Sequence, residues 1–197
     1  HRALANNSVS YSEKPDSMAF MREWTALMES GSGERGIFNR EASIKQAAKN
    51  GRRETCYEFG TNPCSEIILR PNQFCNLSEV VIRASDNLED VERKVHIATL
   101  LGTIQSTYIH FPYLRKVWTT NTEAERLLGV SLTGIMDNPL MTMDNEGLSD
   151  TLEYLKDVAV TTNADWADRL SIPAATAISC VKPSGTVSQL VDSASGI

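Results

Sequence analysis

The sequence predicts an α/β fold in which parallel strands are joined by helical crossovers. Two observations carry that expectation. Short aliphatic runs recur at 67–69, 79–82, 130–135 and 177–181. Between the later runs lie long stretches with helical spacing, at about 88–107 and 148–169. No internal repeat, low-complexity tract or interdomain linker interrupts them, so the chain reads as one α/β unit.

Taken in order, residues 16–29 place Met18, Met21, Trp24, Leu27 and Met28 at helical spacing, after Pro15 and before Gly31-Ser32-Gly33. That is the pattern of a helix turning a Met and Trp stripe towards a core. Gly36-Ile37-Phe38-Asn39 reads as a loop leading into a short helix over about 41–49. Strands are expected at 67–69 and 79–82. Asp86 followed by Glu89 resembles a helix-opening cap for the 88–107 helix. Thr120 or Asn121 opens another helix that stops at Gly129. A buried strand over 130–135 ends at Asp137-Asn138-Pro139. The 148–169 helix is followed by Pro173, and a strand at 177–181 delivers the chain to Pro183-Ser184-Gly185-Thr186.

Composition narrows the function. A chain of 197 residues buries one sizeable core. Its net charge of -6 argues against a broad nucleic-acid surface, though not against a local phosphate site. No apolar run reaches membrane-spanning length and nothing resembles a signal peptide, so a cytoplasmic chain without a membrane partner is expected. Cys56, Cys64, Cys75 and Cys180 are irregularly spaced, and the histidines are His1, His96 and His110; a zinc site is not expected. His96 and His110 have no ligand-like neighbours, and Tyr108, Trp118 and Trp166 read as packing residues. Asn76-Leu77-Ser78 fits the glycosylation pattern, an accident in a cytosolic chain.

The chemistry concentrates in Asn62-Pro63-Cys64-Ser65-Glu66, which sets an amide, a thiol and a carboxylate at every second position. In an extended segment these three share one face. An amide holds a hydroxyl, a carboxylate takes its proton, and a thiol between them does redox or radical chemistry. By itself the segment reads equally as a turn opened by Asn62-Pro63 with a solvated Glu66. Cys75 follows eleven residues after Cys64, in Phe74-Cys75-Asn76-Leu77-Ser78-Glu79. At 183–186, small residues let backbone N–H groups face an anion, with the Ser184 and Thr186 hydroxyls as further donors.

These segments together resemble the catalytic core of ribonucleotide reductases, and the wording around Cys64 and Cys75 looks most like the adenosylcobalamin-dependent class II enzymes. Ala3-Leu4-Ala5-Asn6-Asn7-Ser8, Gly129-Val130-Ser131-Leu132-Thr133-Gly134 and Lys182-Pro183-Ser184-Gly185-Thr186 agree with that family and occur in its order. The resemblance implies part of a ten-stranded α/β barrel carrying a radical-cysteine finger loop. It assigns the thiyl radical to Cys64, the general base for the 3′-hydroxyl to Glu66 and ribose orientation to Asn62. Cys75 becomes one of the two reducing cysteines, and Pro183, Ser184, Gly185 and Thr186 the substrate-phosphate loop.

Adenosylcobalamin is the implied cofactor, a ribonucleoside di- or triphosphate the substrate and a thioredoxin-like dithiol the electron source. The second reducing cysteine lies N-terminal to this region in the family; Cys56 and Cys180 do not match it and are read as buried and inert. The chain begins at His1 and ends at Ile197, and is read as a fragment, a single partial domain that is inactive by itself and either self-associates or is marginally stable. Three rivals remain: a class I reductase, whose radical comes from a separate metal-containing subunit, a non-catalytic nucleotide-binding module, and a purely structural fragment with no activity of its own.

Overall fold

The computed structural model describes residues 7–31, 35–142 and 146–196, in two compact units, His1–Pro71 and Asn72–Ile197. The segment from Ala3 to Asn6 and the Ser32-Gly33 turn, both invoked above, lie outside the described residues.

In the first unit, β1 (Asn7–Tyr11) and β2 (Arg35–Asn39) pair in parallel, with Val9 opposite Ile37. The expected loop at 36–39 is therefore a strand. A side chain at Gly36 would meet the Ser8 hydroxyl at 2.9 Å, so the absent Cβ lets the two strands close. The crossover between them is α1 (Ser17–Ser30), capped by the Asp16 carboxylate on the Met18 N–H and ended by Gly31 at φ 57. Its stripe does not reach a core as expected: Met18 is 63% exposed and Met28 66%, with Met21 and Trp24 also open. On α1, Phe20 stacks on Trp24 and reaches Tyr11, each at 6.3 Å between ring centroids. A two-stranded sheet offers too little surface to cover a fourteen-residue helix. Asn39 caps α2 (Arg40–Ala48), where Arg40 Nε donates to the Phe59 carbonyl at 2.8 Å. The unit ends on a short antiparallel hairpin of β3 (Gly60–Thr61) and β4 (Ile68–Leu69).

The second unit follows the expected crossover pattern. β5 (Leu77–Val81) and β6 (Gly129–Thr133) run parallel, with Glu79 opposite Ser131. The connection carries α3 (Leu88–Gln105) and α4 (Lys116–Glu125). Beyond β6, α5 (Leu148–Arg169) spans the expected helix and α6 (Gly185–Leu190) closes the unit. The expected strand at 177–181 shrinks to one parallel bridge, Ser179 with Val130, flanked by Leu128 N–H to Ala177 O and Cys180 N–H to Val130 O.

Val80 and Ile82 meet Val91, Val95 and Ala98 of α3 and Leu155 and Ala159 of α5 in the core. A polar strut crosses it: buried Asn163 donates to Thr103 Oγ1 at 3.0 Å and accepts from the Ala175 N–H at 2.9 Å. Boundaries shift at several places. The strand expected over 130–135 ends at Thr133, where Gly134 at φ 77 turns the chain into a short helical turn at Ile135–Asp137. The cap of α3 is Asn87 with Asp90, a reciprocal capping box one residue beyond the expected one, because Asp86 is taken by Lys94 and the Arg83 N–H. α4 begins at Lys116 and is ended by Arg126 at φ 47, while Gly129 opens β6 instead of closing the helix. No helix among the described residues is long and apolar enough to cross a membrane.

Candidate active site

Residues 62–67 form the loop of the β3–β4 hairpin. Pro63 takes the first corner, the Ser65 N–H returns to the Asn62 carbonyl at 3.0 Å, and Ser65 sits at φ 66. Buried Asn62 accepts the Ile67 N–H on its side-chain oxygen at 3.0 Å and the Thr61 hydroxyl at 3.4 Å. One amide thus ties the first residue of the loop to the last. The extended segment with three side chains on one face does not form. Instead Asn62 points inward, Cys64 is exposed at the turn and Glu66 is half-buried on the return. The reason is local: Pro63 and Cys64 fill the two corners of a turn closed by the Ser65 N–H, and Ser65 in the left-handed region turns the chain again, so no strand continues through the segment.

Beside Asn62 lies a cavity of about 270 Å³, lined by Ser8, Ser10, Phe38, Arg40, Thr61 and Asn62 among others. Arg40 and Ser10 went unnoticed in the sequence, which gives no spacing signal for them; only the β1–β2 pairing brings them to the hairpin.

In the second unit Cys75 is exposed just ahead of β5. The 183–186 loop is fixed from below: Lys182 N–H donates to Ser131 Oγ at 3.1 Å and Gly196 N–H to the Pro183 carbonyl at 3.0 Å. A Cβ on Gly196 would stand 2.1 Å from the Lys182 carbonyl, so only glycine allows that approach. Ser184, at φ 57, is buried and its hydroxyl returns to the Lys182 carbonyl at 3.3 Å. Pro183 is half-buried, whereas Gly185 and Thr186 are exposed, with open space around the Gly185 Cα. Ser184 therefore holds the turn, and the face open to a ligand belongs to Gly185 and Thr186.

The loop leaves the sheet level with Glu79, four residues after Cys75, a separation of about 13 Å at the rise of an extended chain. Burial raises the Glu79 carboxyl above the usual carboxylate range, and the Lys182 charge pulls it back only in part. One Glu79 oxygen is buried with no hydrogen-bond partner among the described residues. Neither inert-cysteine expectation holds: Cys56 is exposed and Cys180 half-buried, since neither lies in the closed core of its unit. Tyr108, expected to pack, is 73% exposed. His96 is satisfied by Thr162 at 3.0 Å. No cluster of metal-ligating side chains occurs among the described residues.

The fold is similar to part of a class II ribonucleotide reductase. The chain superposes over 96% of its length on the crystal structure of a B12-dependent (class II) ribonucleotide reductase, with a TM-score of 0.64 and 22% identity, and occupies 29% of that protein. In sequence it is similar over its full length to the adenosylcobalamin-dependent ribonucleoside-triphosphate reductases of Levilactobacillus brevis (27% identical) and Lactobacillus gasseri (28%), spanning 29% of each. The reductase of the same name from Euglena gracilis is 27% identical over 71% of the chain and 18% of its own length. The chain spans less than a third of the length of these reductases. No family model matches the sequence.

Proposed function

We propose that the protein to which this chain belongs reduces ribonucleotides to 2′-deoxyribonucleotides, and that this chain carries its radical-cysteine loop. The observation that supports this most strongly is the collinear match of the whole chain to named reductases, with Cys64 exposed on a turn held by Asn62. The β5–β6 pair and the β1–β2 pair are read as pieces of the ten-stranded barrel, completed by strands elsewhere in the intact protein.

In this reading a thiyl radical on Cys64 takes the hydrogen atom from ribose C3′: the C–H bond breaks and an S–H bond forms. Glu66, half-buried at the edge of the loop, accepts the 3′-hydroxyl proton. The Asn62 amide has committed its oxygen to the Ile67 N–H, so its N–H₂ is the group offered to a ribose hydroxyl. The 2′-hydroxyl leaves as water on a proton from one thiol of the pair formed by Cys75 and a second cysteine, and the other thiol gives a hydrogen atom to C2′. The disulfide radical anion so formed passes its extra electron to C3′ as Glu66 returns the proton to the 3′-oxygen. The Cys64 S–H then returns its hydrogen atom to C3′, restoring the thiyl, and a thioredoxin-like dithiol reduces the disulfide. The substrate's phosphates rest at Gly185 and Thr186. The offset between Cys75 and this loop suits a nucleoside di- or triphosphate lying along the strands, with triphosphate favoured by the relatives' names.

The named relatives depend on adenosylcobalamin, which supplies a carbon-centred radical when bound. The cavities described here run from about 210 to about 620 Å³, too small for a corrin ring with its nucleotide arm, and the larger is lined largely by apolar groups such as Phe20, Met21 and Ile37. The described residues do not fit the cofactor.

The decisive experiment is Cys64→Ser in the intact protein. Turnover should fall below detection while nucleotide affinity stays within about threefold of wild type, because the hydroxyl cannot form the radical yet fills the same space. Retained turnover would favour the non-catalytic nucleotide-binding module instead.

A further inference from the structure

The segment from Pro183 to Gly196 is closed on itself. The Gly196 N–H returns to the Pro183 carbonyl at 3.0 Å, the Ser188 N–H to the Ser184 carbonyl at 2.8 Å and the Ser193 N–H to the Ser188 carbonyl at 3.0 Å. Within it, α6 has six residues, too few to sustain a helix alone, and the last carbonyls of any helix lack partners inside it.

Two sets of bonds fasten this closed segment to the sheet, one beyond each strand. On the β6 side, the Ala194 N–H donates to Asp137 Oδ2 at 2.8 Å, and the Ala194 carbonyl accepts the Gly134 N–H at 2.8 Å and the Thr133 hydroxyl at 3.1 Å. On the β5 side stands Arg83, whose Nη1 donates to the Asp192 carbonyl at 2.7 Å and whose Nη2 donates to the Val191 carbonyl at 2.6 Å. Val191 and Asp192 directly follow α6. A guanidinium on two successive carbonyls there satisfies two orphan acceptors at once and sets positive charge at the negative end of the helix dipole.

Arg83 is itself anchored. Its N–H donates to Asp86 Oδ2 at 2.8 Å, and its carbonyl accepts from Nδ2 of the buried Asn138 at 2.8 Å. The fork therefore springs from a fixed point on the sheet. Without it the segment keeps its hold beyond β6 and loses the one beyond β5, so it can rock and carry Gly185 and Thr186 with it. We propose that Arg83 is a positioning residue for the substrate's phosphates: by gripping the end of α6 it sets the tilt at which Gly185 and Thr186 meet them. This role, which rests on the reading of 183–186 as the phosphate loop, is exerted through a six-residue helix about 9 Å long and not by contact with the ligand.

The test compares Arg83→Leu, which removes both bonds, with Arg83→Lys, which keeps the charge but cannot fork. Arg83 is exposed, so neither change opens the core. In the intact protein, KM for a ribonucleoside triphosphate and its Kd by equilibrium dialysis should both rise about tenfold in Arg83→Leu, the size of one weakened hydrogen bond to a charged group, with kcat within about twofold of wild type. Arg83→Lys should fall between. The unphosphorylated nucleoside, measured as a competitor in the same dialysis, should lose no affinity, whereas a general loosening of the fold would weaken both ligands alike. Hydrogen exchange in this chain should quicken over 185–192 in Arg83→Leu and stay unchanged in α3. An unchanged Kd, equal losses for nucleoside and triphosphate, or unchanged exchange over 185–192 would each overturn the role of Arg83. The Kd needs no turnover, so failure of the reductase reading under Cys64→Ser and failure of this role are separate results.

Discussion

Asn62 does two jobs with two ends of one amide, and they can be pulled apart. Asn62→Asp keeps an acceptor for the Ile67 N–H, so the chain's urea midpoint should barely move while turnover of the intact protein drops. Asn62→Leu strands that N–H in a buried position and should cost about 1–3 kcal/mol. If Asp destabilises as much as Leu, the loop is not held by this bond. Glu79 makes a prediction of opposite sense. Its carboxyl is raised by burial, so the folded chain favours the protonated form. The stability it contributes is complete below the ordinary glutamate value of about 4.3 and is lost as pH rises through the raised folded value. Glu79→Gln should therefore raise the melting temperature at pH 7 and leave it unchanged near pH 4; equal shifts at both would show that the carboxyl is not strained. The sequence named Asn62, Cys64 and Glu66 because spacing along one segment is visible in it. It could not show that Pro63 and Ser65 bend that segment into a turn, nor that Glu79 meets Lys182, which lies over a hundred residues further along the chain.

At the level of elements, α3 and α5 hold the second unit together by two kinds of device. The Asn87 capping box satisfies helix donors that water can also reach, whereas Asn163 bridges α3 to the segment before Ile178 inside the core. Asn87→Ala should cost about 1 kcal/mol. Asn163→Ala should cost more, about 2–4 kcal/mol, because it leaves the buried Ala175 N–H unpaired as well as opening space. Chemical denaturation of both variants gives the order, and a reversed order would mean that the strut is dispensable. The long helices were legible because their spacing persists over many turns. β1 and β2 were not, since a parallel pair joined across α1 leaves no local signature in five-residue segments. The cap of α3 was misplaced by one residue because Asp86-Asn87-Leu88-Glu89-Asp90 holds two overlapping capping patterns, and Lys94 decides between them.

At the scale of the whole chain, the exposed α1 stripe has a counterpart on α3, where Ile97, Leu101 and Ile104 lie open at helical spacing. Each sheet has two named strands, and only β6 is further bridged, by the segment around Ser179, among the described residues. The isolated chain should therefore self-associate, with a weight-average mass in sedimentation velocity that rises with concentration. A single monomer species that melts cooperatively would mean that these faces are stable in water. The sequence by itself determined the α/β alternation, the two long helices, the reductase resemblance and the thiols on which chemistry rests, because each is written in composition or in spacing along a continuous stretch. Only the tertiary structure decided that Cys64 rides a turn, that Ser184 supports its loop while Gly185 and Thr186 face outward, and that Arg83 grips the end of α6. Those outcomes depend on which distant segments pack together, and packing is settled by the folded chain as a whole.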